Sequence, residues 1–410
     1  MSFIPYPLMR RRTLVAGLAG TAASMTLPTR AASNDAELAA RLDQTIGQAI
    51  DDRKIVGTVV KVIRSGDVIY HRASGHADLE SGSAMRTNAV FRLASLSKTI
   101  VSAAALALID RGRLAVTDPV IRWLPDFAPR TPDGKSPTLT IQHLLTHTAG
   151  LSYGFYEPED GPYHRAGVSD GLDISSLSLD DEMRRIGAAG LAEAPGTRWR
   201  YSIATDVLGA VIARVSGQSL QIAVQRLVTE PLGMADTGFS ANDVARLTVP
   251  YADASPTPVR MADDQRVPFR GLGFMRISPA RVLDPAQFPS GGAGMVSTSD
   301  DLGRFLEALR TGGGSILRPA TASLMTTNRI GSLPVPGVPG WGFGYGCITL
   351  EDRVIAKTPQ SNGTWAFTSA LGHSYFVDPR RQTTVIALTN TAIEGGFGAF
   401  VPAIRNAVYG

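Results

Sequence analysis

Phe91-Arg92-Leu93-Ala94-Ser95-Leu96-Ser97-Lys98-Thr99 runs directly into Ile100-Val101-Ser102-Ala103-Ala104-Ala105-Leu106-Ala107-Leu108 and ends at Gly112. The segment from Ser97 to Arg111 is rich in Ala, Leu and Ile and free of Gly and Pro, which predicts a buried helix stopped by Gly112. Ser95 and Lys98 stand at its start, three residues apart, just under one turn, so hydroxyl and amine share a face. The positive end of the helix dipole favours an alkoxide there. A serine hydroxyl is a poor nucleophile until a neighbouring base takes its proton, and a lysine whose pKa is lowered by burial can be that base. In isolation the pattern reads more simply as an N-cap serine followed by a surface lysine. Here the chain has only five lysines, Lys54, Lys61, Lys98, Lys135 and Lys357, and only Lys98 has a serine three residues before it.

Working outward, Asn34–Asp52 predicts a helix with Leu38, Leu42, Ile46 and Ile50 on one face and a capping-box-like start at Asn34 and Glu37. Thr58–Arg64 and Val68–Ser74 are β-branched runs around Ser65-Gly66-Asp67, a hairpin pattern. Tyr375–Val377 and Thr383–Leu388 form a second hairpin around Asp378-Pro379-Arg380, and a last helix is expected over about Phe397–Val408. Ile141–Thr248 reads as helices and polar loops, and 249–290, with many Pro, Asp and Arg, as long loops. The expected fold is α/β of the α+β type: one antiparallel sheet flanked by helices, built from residues 33–115 and 290–410, with 116–289 as a mainly helical inserted domain. No internal repeat is visible.

The second chemical element is Pro195-Gly196-Thr197-Arg198-Trp199-Arg200-Tyr201-Ser202-Ile203, followed by an apolar helix, Val207–Val215. Tyr201 at this junction would present its phenol to the pocket of Lys98, where a nearby ammonium would lower its pKa and suit it to proton transfer. The plainer reading is a half-buried core tyrosine.

Taken together, these stretches resemble the class C β-lactamase-related serine hydrolases, and among them the family VIII carboxylesterases. The matching stretches run from about Gly57 to Thr391. They are Phe91 to Lys98; Thr140-Ile141-Gln142-His143-Leu144-Leu145-Thr146-His147-Thr148-Ala149-Gly150-Leu151; Pro195-Gly196-Thr197 through Tyr201-Ser202; Gly291-Gly292-Ala293-Gly294-Met295-Val296-Ser297-Thr298; Trp341-Gly342-Phe343-Gly344-Tyr345-Gly346; and Phe376-Val377-Asp378-Pro379. The resemblance implies a β-lactamase/transpeptidase-like fold with the site between an α/β and an all-α domain. It implies an acyl-enzyme on Ser95, a proton relay of Lys98 and Tyr201, and an oxyanion hole from the backbone N–H groups of Ser95 and Ala370. The implied reaction is hydrolysis of a small-molecule carboxylic ester. A β-lactamase, a D-amino-acid peptidase or amidase, or an acyltransferase is the alternative on the same scaffold, and a non-catalytic binding protein is a third class.

Two departures from the β-lactamase pattern bear on specificity. Ile203 stands where those enzymes have Asn after Tyr-x, and Phe367-Thr368-Ser369 stands where they have Lys-Thr-Gly. Ile203, Phe367, Thr368 and Ser369 are therefore candidate substrate contacts, and His373, close to the same strand, is another. Lys357-Thr358-Pro359 imitates the missing motif, but Pro359 has no N–H. Gly150-Leu151-Ser152-Tyr153-Gly154 matches the nucleophile elbow of α/β-hydrolases but lacks its strand before and helix after. The six histidines, His71, His76, His143, His147, His164 and His373, show no metal-ligand spacing. No metal or cofactor is expected.

The leader carries the charge. The first 32 residues hold Arg10, Arg11, Arg12 and Arg30 and no acid, and without them 36 basic residues face 36 acidic ones, so the rest of the chain offers no charge argument for nucleic acid or lipid. Arg10-Arg11-Arg12 before the apolar run Leu14–Leu27 resembles a twin-arginine export signal covering residues 1–32. The run is shorter than the about 20 residues a spanning helix needs, which implies a periplasmic or secreted protein without stable membrane insertion. Cys347 is the only cysteine, so no internal disulfide is available. Export is testable: the mature chain is expected to begin near Ala32 or Ser33, and replacing Arg10, Arg11 and Arg12 by lysine to strand the precursor in the cytoplasm. N-terminal sequencing and fractionation check both, and normal export of the lysine variant would point to the general secretory route.

Overall fold

The computed structural model describes residues 30–269 and 273–410, with the side chains of the first helix described from Asn34 onward; almost all of the expected leader lies outside the described residues. The first helix, α1 (Arg30–Asp51), starts upstream of Asn34, so the cap expected there is not used, while Leu38, Leu42 and Ile46 form its buried face as the spacing predicts. Strands β1 (Gly57–Arg64) and β2 (Asp67–Asp78) follow. Their connection is Ser65-Gly66, with both residues at positive φ, 53° and 93°, the geometry that matches a two-residue hairpin to strand twist.

A short strand, β3 (Ser83–Ala84), and the long helix α2 (Ser97–Asp110) come next, and Gly112 at φ +66° ends the helix as expected. The middle of the chain supplies α3 (Ile141–Leu145), α4 (Leu179–Ala189) and α5 (Ala204–Ser216). It also supplies a hairpin of β4 (Gln265–Phe269) and β5 (Gly273–Ile277) inside the region expected to be long loops. The period-2 pattern is present there, with Val267, Phe269, Met275 and Ile277 buried. It is obscured by Pro268 and by Arg on the open face, both features of an unprotected edge.

The chain then returns through α6 (Ser299–Arg310) to β6 (Trp341–Phe343), β7 (Ile348–Leu350), β8 (Trp365–Ser369), β9 (His373–Asp378) and β10 (Thr383–Thr389). All pairings in the resulting eight-stranded sheet are antiparallel, in the order β6-β7-β8-β9-β10-β1-β2-β3. The sequence-distant strands β1 and β10 meet at its centre, Thr58 opposite Thr389 through Arg64 opposite Thr383. The sheet and its flanking helices are the expected β-lactamase/transpeptidase-like arrangement. The last helix is interrupted: residues 392–397 form one piece, and α7 (Phe400–Tyr409) begins after Gly398, where Glu394 Oε1 accepts from the Phe400 N–H at 3.0 Å.

Both faces of β1 are covered, which is why it reads as a continuous apolar run. Val60 and Val62 join Leu38, Leu42, Phe400 and Ile404 in a core under the two terminal helices. Val59 points the other way into the main core, which α2 fills with Ile100, Val101, Leu106 and Leu108. Helix α2 is therefore sandwiched between the sheet and α5, and that position buries Lys98.

The main core contains an unusual acid. Glu182 of α4 is fully buried; Oε2 accepts from the Ser169 N–H at 3.3 Å and Oε1 has no partner among the described residues. Burial, and after it the nearby Asp206, Asp173 and Asp170, push its pKa up to about 8. In the unfolded chain the group titrates near the ordinary glutamate value, so folding takes up a proton between about pH 4.5 and pH 8, and stability falls as pH rises through that window. Glu182→Gln is expected to raise the melting temperature by several degrees at pH 8 and to leave it nearly unchanged at pH 4.5, measured by calorimetry; an equal shift at both would mean that the carboxyl is not protonated on folding.

Candidate active site

The nucleophile candidate is held by a strained turn. Phe91 and Arg92 pair with Ser297 and Val296, the Leu93 N–H donates to Met295 O at 2.8 Å, and the Met295 N–H donates to Ser97 Oγ at 3.1 Å. Between these ties Ala94 adopts φ +42°, a left-handed conformation that costs an alanine about 1–2 kcal/mol. Residues Ala94–Leu96 form one 3-10 turn, and α2 starts directly after it at Ser97. Ser95 thus sits one short turn ahead of α2, partly exposed, while Ala94 and Leu96 on either side are buried.

Lys98 is 1% exposed. Its amine donates to the carbonyl of Gly292 at 2.7 Å and lies over two phenol rings, 4.7 Å from the centroid of Tyr201 and 5.2 Å from that of Tyr153. Burial pushes its pKa down to about 7, against the opposing pull of Asp206 and Asp170. A substantial share of Lys98 is therefore a neutral amine at neutral pH, the state a general base requires.

Tyr201 completes the set. Its hydroxyl donates to Ser95 Oγ at 2.7 Å. The ring is held between Tyr153, at 5.5 Å, and His147, at 5.0 Å. His147 is 2% exposed, and its Nδ1 accepts from the Ser202 N–H at 3.3 Å, which anchors the residue after Tyr201. One expectation is corrected here. The phenol pKa is raised, because burial outweighs the lowering by the Ser95 hydrogen bond, and Asp206 adds to the rise. Tyr201 therefore stays protonated near neutral pH and donates its hydrogen bond to Ser95.

The other candidates divide. Phe367 and Thr368 line a cavity of about 410 Å³ that opens beside Tyr201, together with Trp199, Phe343, Val335, Val338, Tyr156, Phe269 and Phe397. Its charged lining residues are Arg198 and a Glu193–Arg200 pair joined by two 2.8 Å hydrogen bonds. Ile203 does not reach this cavity: it is fully buried at the start of α5, with its N–H on Ser152 O at 3.1 Å. Ser369 is also in the core, its hydroxyl donating to Leu93 O at 2.8 Å, which laces the end of β8 to the nucleophile turn and sets Ala370 beside it in sequence. His373 is 1% exposed, Nε2 is bonded to Arg92 O at 2.8 Å, and burial lowers its pKa to about 4. The side chains of Ile203, Ser369 and His373 thus lie in the core behind the site and do not line the cavity, with His373 Nδ1 unpartnered among the described residues.

Two rival serines are disposed of by burial. Ser152 of the elbow-like motif is 2% exposed with its N–H held by Tyr163 Oη at 2.9 Å. Ser299 lies 3.0 Å from His71 Nε2, and His71 Nδ1 is 3.9 Å from Asp300, which imitates a Ser-His-Asp alignment. Ser299 is fully buried at the start of α6, and Asp300 is committed to Lys61 at 2.5 Å, so this cluster ties β1 and β2 to α6. Among the described residues no group of His, Cys, Asp and Glu is arranged to hold a metal ion, and no single helix is long and apolar enough to cross a membrane.

Reasoning from sequence missed Gly292 O, Asp206, Tyr153 and His147. Gly292 and His147 lie in stretches that carry the family resemblance, and Asp206 is an acid within the first turn of an otherwise apolar helix. The geometry makes a pH prediction. Because Lys98 must be neutral to accept a proton and titrates near pH 7, kcat/KM for a neutral substrate is expected to rise through about pH 7 and then level off, with Tyr201 causing no decline below about pH 10. A profile flat from pH 5 to pH 9 would remove Lys98 from the role of base.

Comparison with known proteins places this geometry in a lineage. The Beta-lactamase family model matches residues 42–406. Esterase EstB of Burkholderia gladioli is 47% identical over 391 residues, covering 95% of this chain and 99% of EstB. The Lovastatin esterase of Penicillium rubens is 27% identical over 377 residues, 83% of this chain and 90% of its own length. The solved structure of EstCE1, described as a hydrolase with promiscuous acyltransferase activity, superposes with a TM-score of 0.88 at 44% identity, covering 92% of this chain and 99% of that one. The chain belongs to the beta-lactamase family, as a relative of its esterase members.

Proposed function

We propose that this protein is a serine carboxylesterase that works through an acyl-enzyme on Ser95. The observation that carries the reading is the 2.7 Å hydrogen bond between Tyr201 and Ser95 beside a lysine amine cut off from water. Likeness to EstB over nearly the whole chain supports the ester as substrate class. Ser95 Oγ attacks the ester carbonyl carbon while its proton passes to the neutral amine of Lys98. Tyr201 donates its hydrogen bond to Ser95 Oγ as negative charge develops there and relays the proton from Lys98 to the departing alkoxide as the C–O bond breaks. Water then repeats the sequence on acyl-Ser95, releasing the acid. The N–H groups of Ser95 and Ala370 are proposed as the oxyanion hole, which uses backbone alone and so survives the loss of the Lys-Thr-Gly motif.

The cavity argues for uncharged, largely apolar esters. Aromatic and aliphatic side chains dominate its wall, and the resemblance aligns Phe367 with the lysine that pairs with a β-lactam carboxylate. Losing a charge-assisted hydrogen bond costs about 1.5–3 kcal/mol, and a carboxylate left unpaired in an apolar wall costs more. The same wall favours an alcohol over water as acyl acceptor, so transfer to added alcohols is the second reading, consistent with the description of EstCE1. We also assign the protein to the periplasm or exterior on the strength of its arginine-rich leader.

Measured on one preparation, kcat/KM for p-nitrophenyl butyrate is expected to exceed that for nitrocefin by about 10- to 100-fold or more, the worth of the lost charge-assisted contact; a higher value for nitrocefin would reverse the specificity. Lys98→Ala and Tyr201→Phe are each expected to lower kcat by about 10²–10⁴, and the double variant to be little worse than either single one because the groups act as a unit. Additive losses would mean that the two residues serve separate steps.

A further inference from the structure

Behind the amine of Lys98 stands a carboxylate with no part in the acyl-transfer steps above. Asp206 lies in the first turn of α5, 1% exposed, in a helix buried continuously from Ala204 through Ile212. Its Oδ1 accepts from the Ser290 hydroxyl at 2.6 Å. Its Oδ2 faces the backbone of Gly292, whose N–H helps to lower the carboxyl pKa against burial. That oxygen is pressed against Gly292: a Cβ at Gly292 would collide with it and come within 2.9 Å of Tyr153 Oη. Gly292 is the residue whose carbonyl receives Lys98. Asp206 therefore touches one turn at two points, Ser290 and Gly292, and the same turn holds the amine. The N-terminal end of α5 supplies a positive dipole that favours a carboxylate at this place.

We infer that Asp206 is a positioning residue for Lys98: through Ser290 and the backbone of Gly292 it fixes the 290–292 turn that receives the amine, and it sets a carboxyl group behind that turn to act on the amine's charge. The inference rests on the reading of Lys98 as the base. The charges facing the amine support it. Asp206 is the largest influence that counters burial in holding Lys98 protonated, followed by Asp170, and Lys98 in turn lowers the pKa of Asp206, which burial raises. His147, on the other side, lies near Lys98 and is kept neutral by burial. The Tyr153 and Tyr201 rings carry no charge in the working range, burial raising both phenols. Farther back are Glu182 and Arg281. The guanidinium of Arg281 is spent on the carbonyls of Asp173 and Phe288, at 2.5 and 2.7 Å, and not on Asp206. Among the described residues no cation hydrogen-bonds to Asp206, and Arg281 acts on it only from a distance and less than Lys98 does.

The test separates charge from tether. With five lysines in the chain, carbon-13 labelling at the lysine Cε and NMR titration follow Lys98 directly, its signal assigned by its loss in Lys98→Ala. Asp206→Asn keeps an oxygen for Ser290 and removes the charge. The Lys98 titration midpoint and the acid limb of kcat/KM are both expected to move to lower pH by about one unit. Ser290→Ala keeps the charge and removes the tether. It is expected to lower kcat about tenfold through misplacement of the amine, with the limb where it was. A midpoint in Asp206→Asn that stays put or rises would overturn the charge role, and an unchanged kcat in Ser290→Ala would overturn the tether. If the NMR midpoint moves and the kinetic limb does not, the coupling of Asp206 to Lys98 stands and the assignment of Lys98 as base fails. Should Asp206→Asn not fold, Ser290→Ala still decides the tether.

Discussion

An amine taken out of water must either find a compensating anion or give up its proton, and the way Lys98 meets that constraint organises the surrounding structure. Its place on α2, between the sheet and α5, denies it solvent. The neighbours allow one good hydrogen bond, to Gly292 O, and two ring faces. The nearest carboxyls are themselves buried, so they hold the amine near the balance point between charged and neutral without forming a contact ion pair with it. A surface lysine at this position would be charged at every physiological pH and useless as a base.

The same enclosure explains the division of labour with Tyr201. Burial lowers the pKa of an amine and raises that of a phenol, so one environment sets a readily deprotonated amine beside a protonated phenol, two groups whose ordinary pKa values are close. The consequence reaches to the substrate side. The wall that continues from Tyr201 through Trp199, Phe343 and Phe367 is aromatic, and its Glu193–Arg200 charges cancel each other. Arg198 remains as the one lining charge outside that pair, at the exposed side of an otherwise largely apolar wall.

How much of this was readable beforehand varied with the distance over which the information acts. Hairpin turns, the α2 stop at Gly112 and the apolar faces of α1 and α5 are set by neighbours a few residues away, and they were legible. So was Ser95 with Lys98, whose spacing is one helical turn, and Tyr201, through its motif. The hairpin at 265–277 was hidden because Pro268 and the arginines of its open face look like loop. Ile203, Ser369 and His373 carried the right chemistry for a substrate contact, but which way a side chain points depends on packing from distant segments, and theirs point into the core. Asp206, Ser290 and Gly292 are 84 or more residues apart from one end of that contact to the other, a juxtaposition that only the folded chain reveals.

The claim on which everything turns is that Ser95 is the nucleophile and that its reactivity is governed by an amine titrating near neutrality. Peptide mapping by mass spectrometry after brief exposure to a fluorophosphonate, repeated across pH, addresses both halves at once. The account predicts a single adduct, on the peptide carrying Ser95, forming at a rate that increases through about pH 7. An adduct on the peptide of Ser152 or Ser299, or labelling of Ser95 at a rate independent of pH, would contradict it.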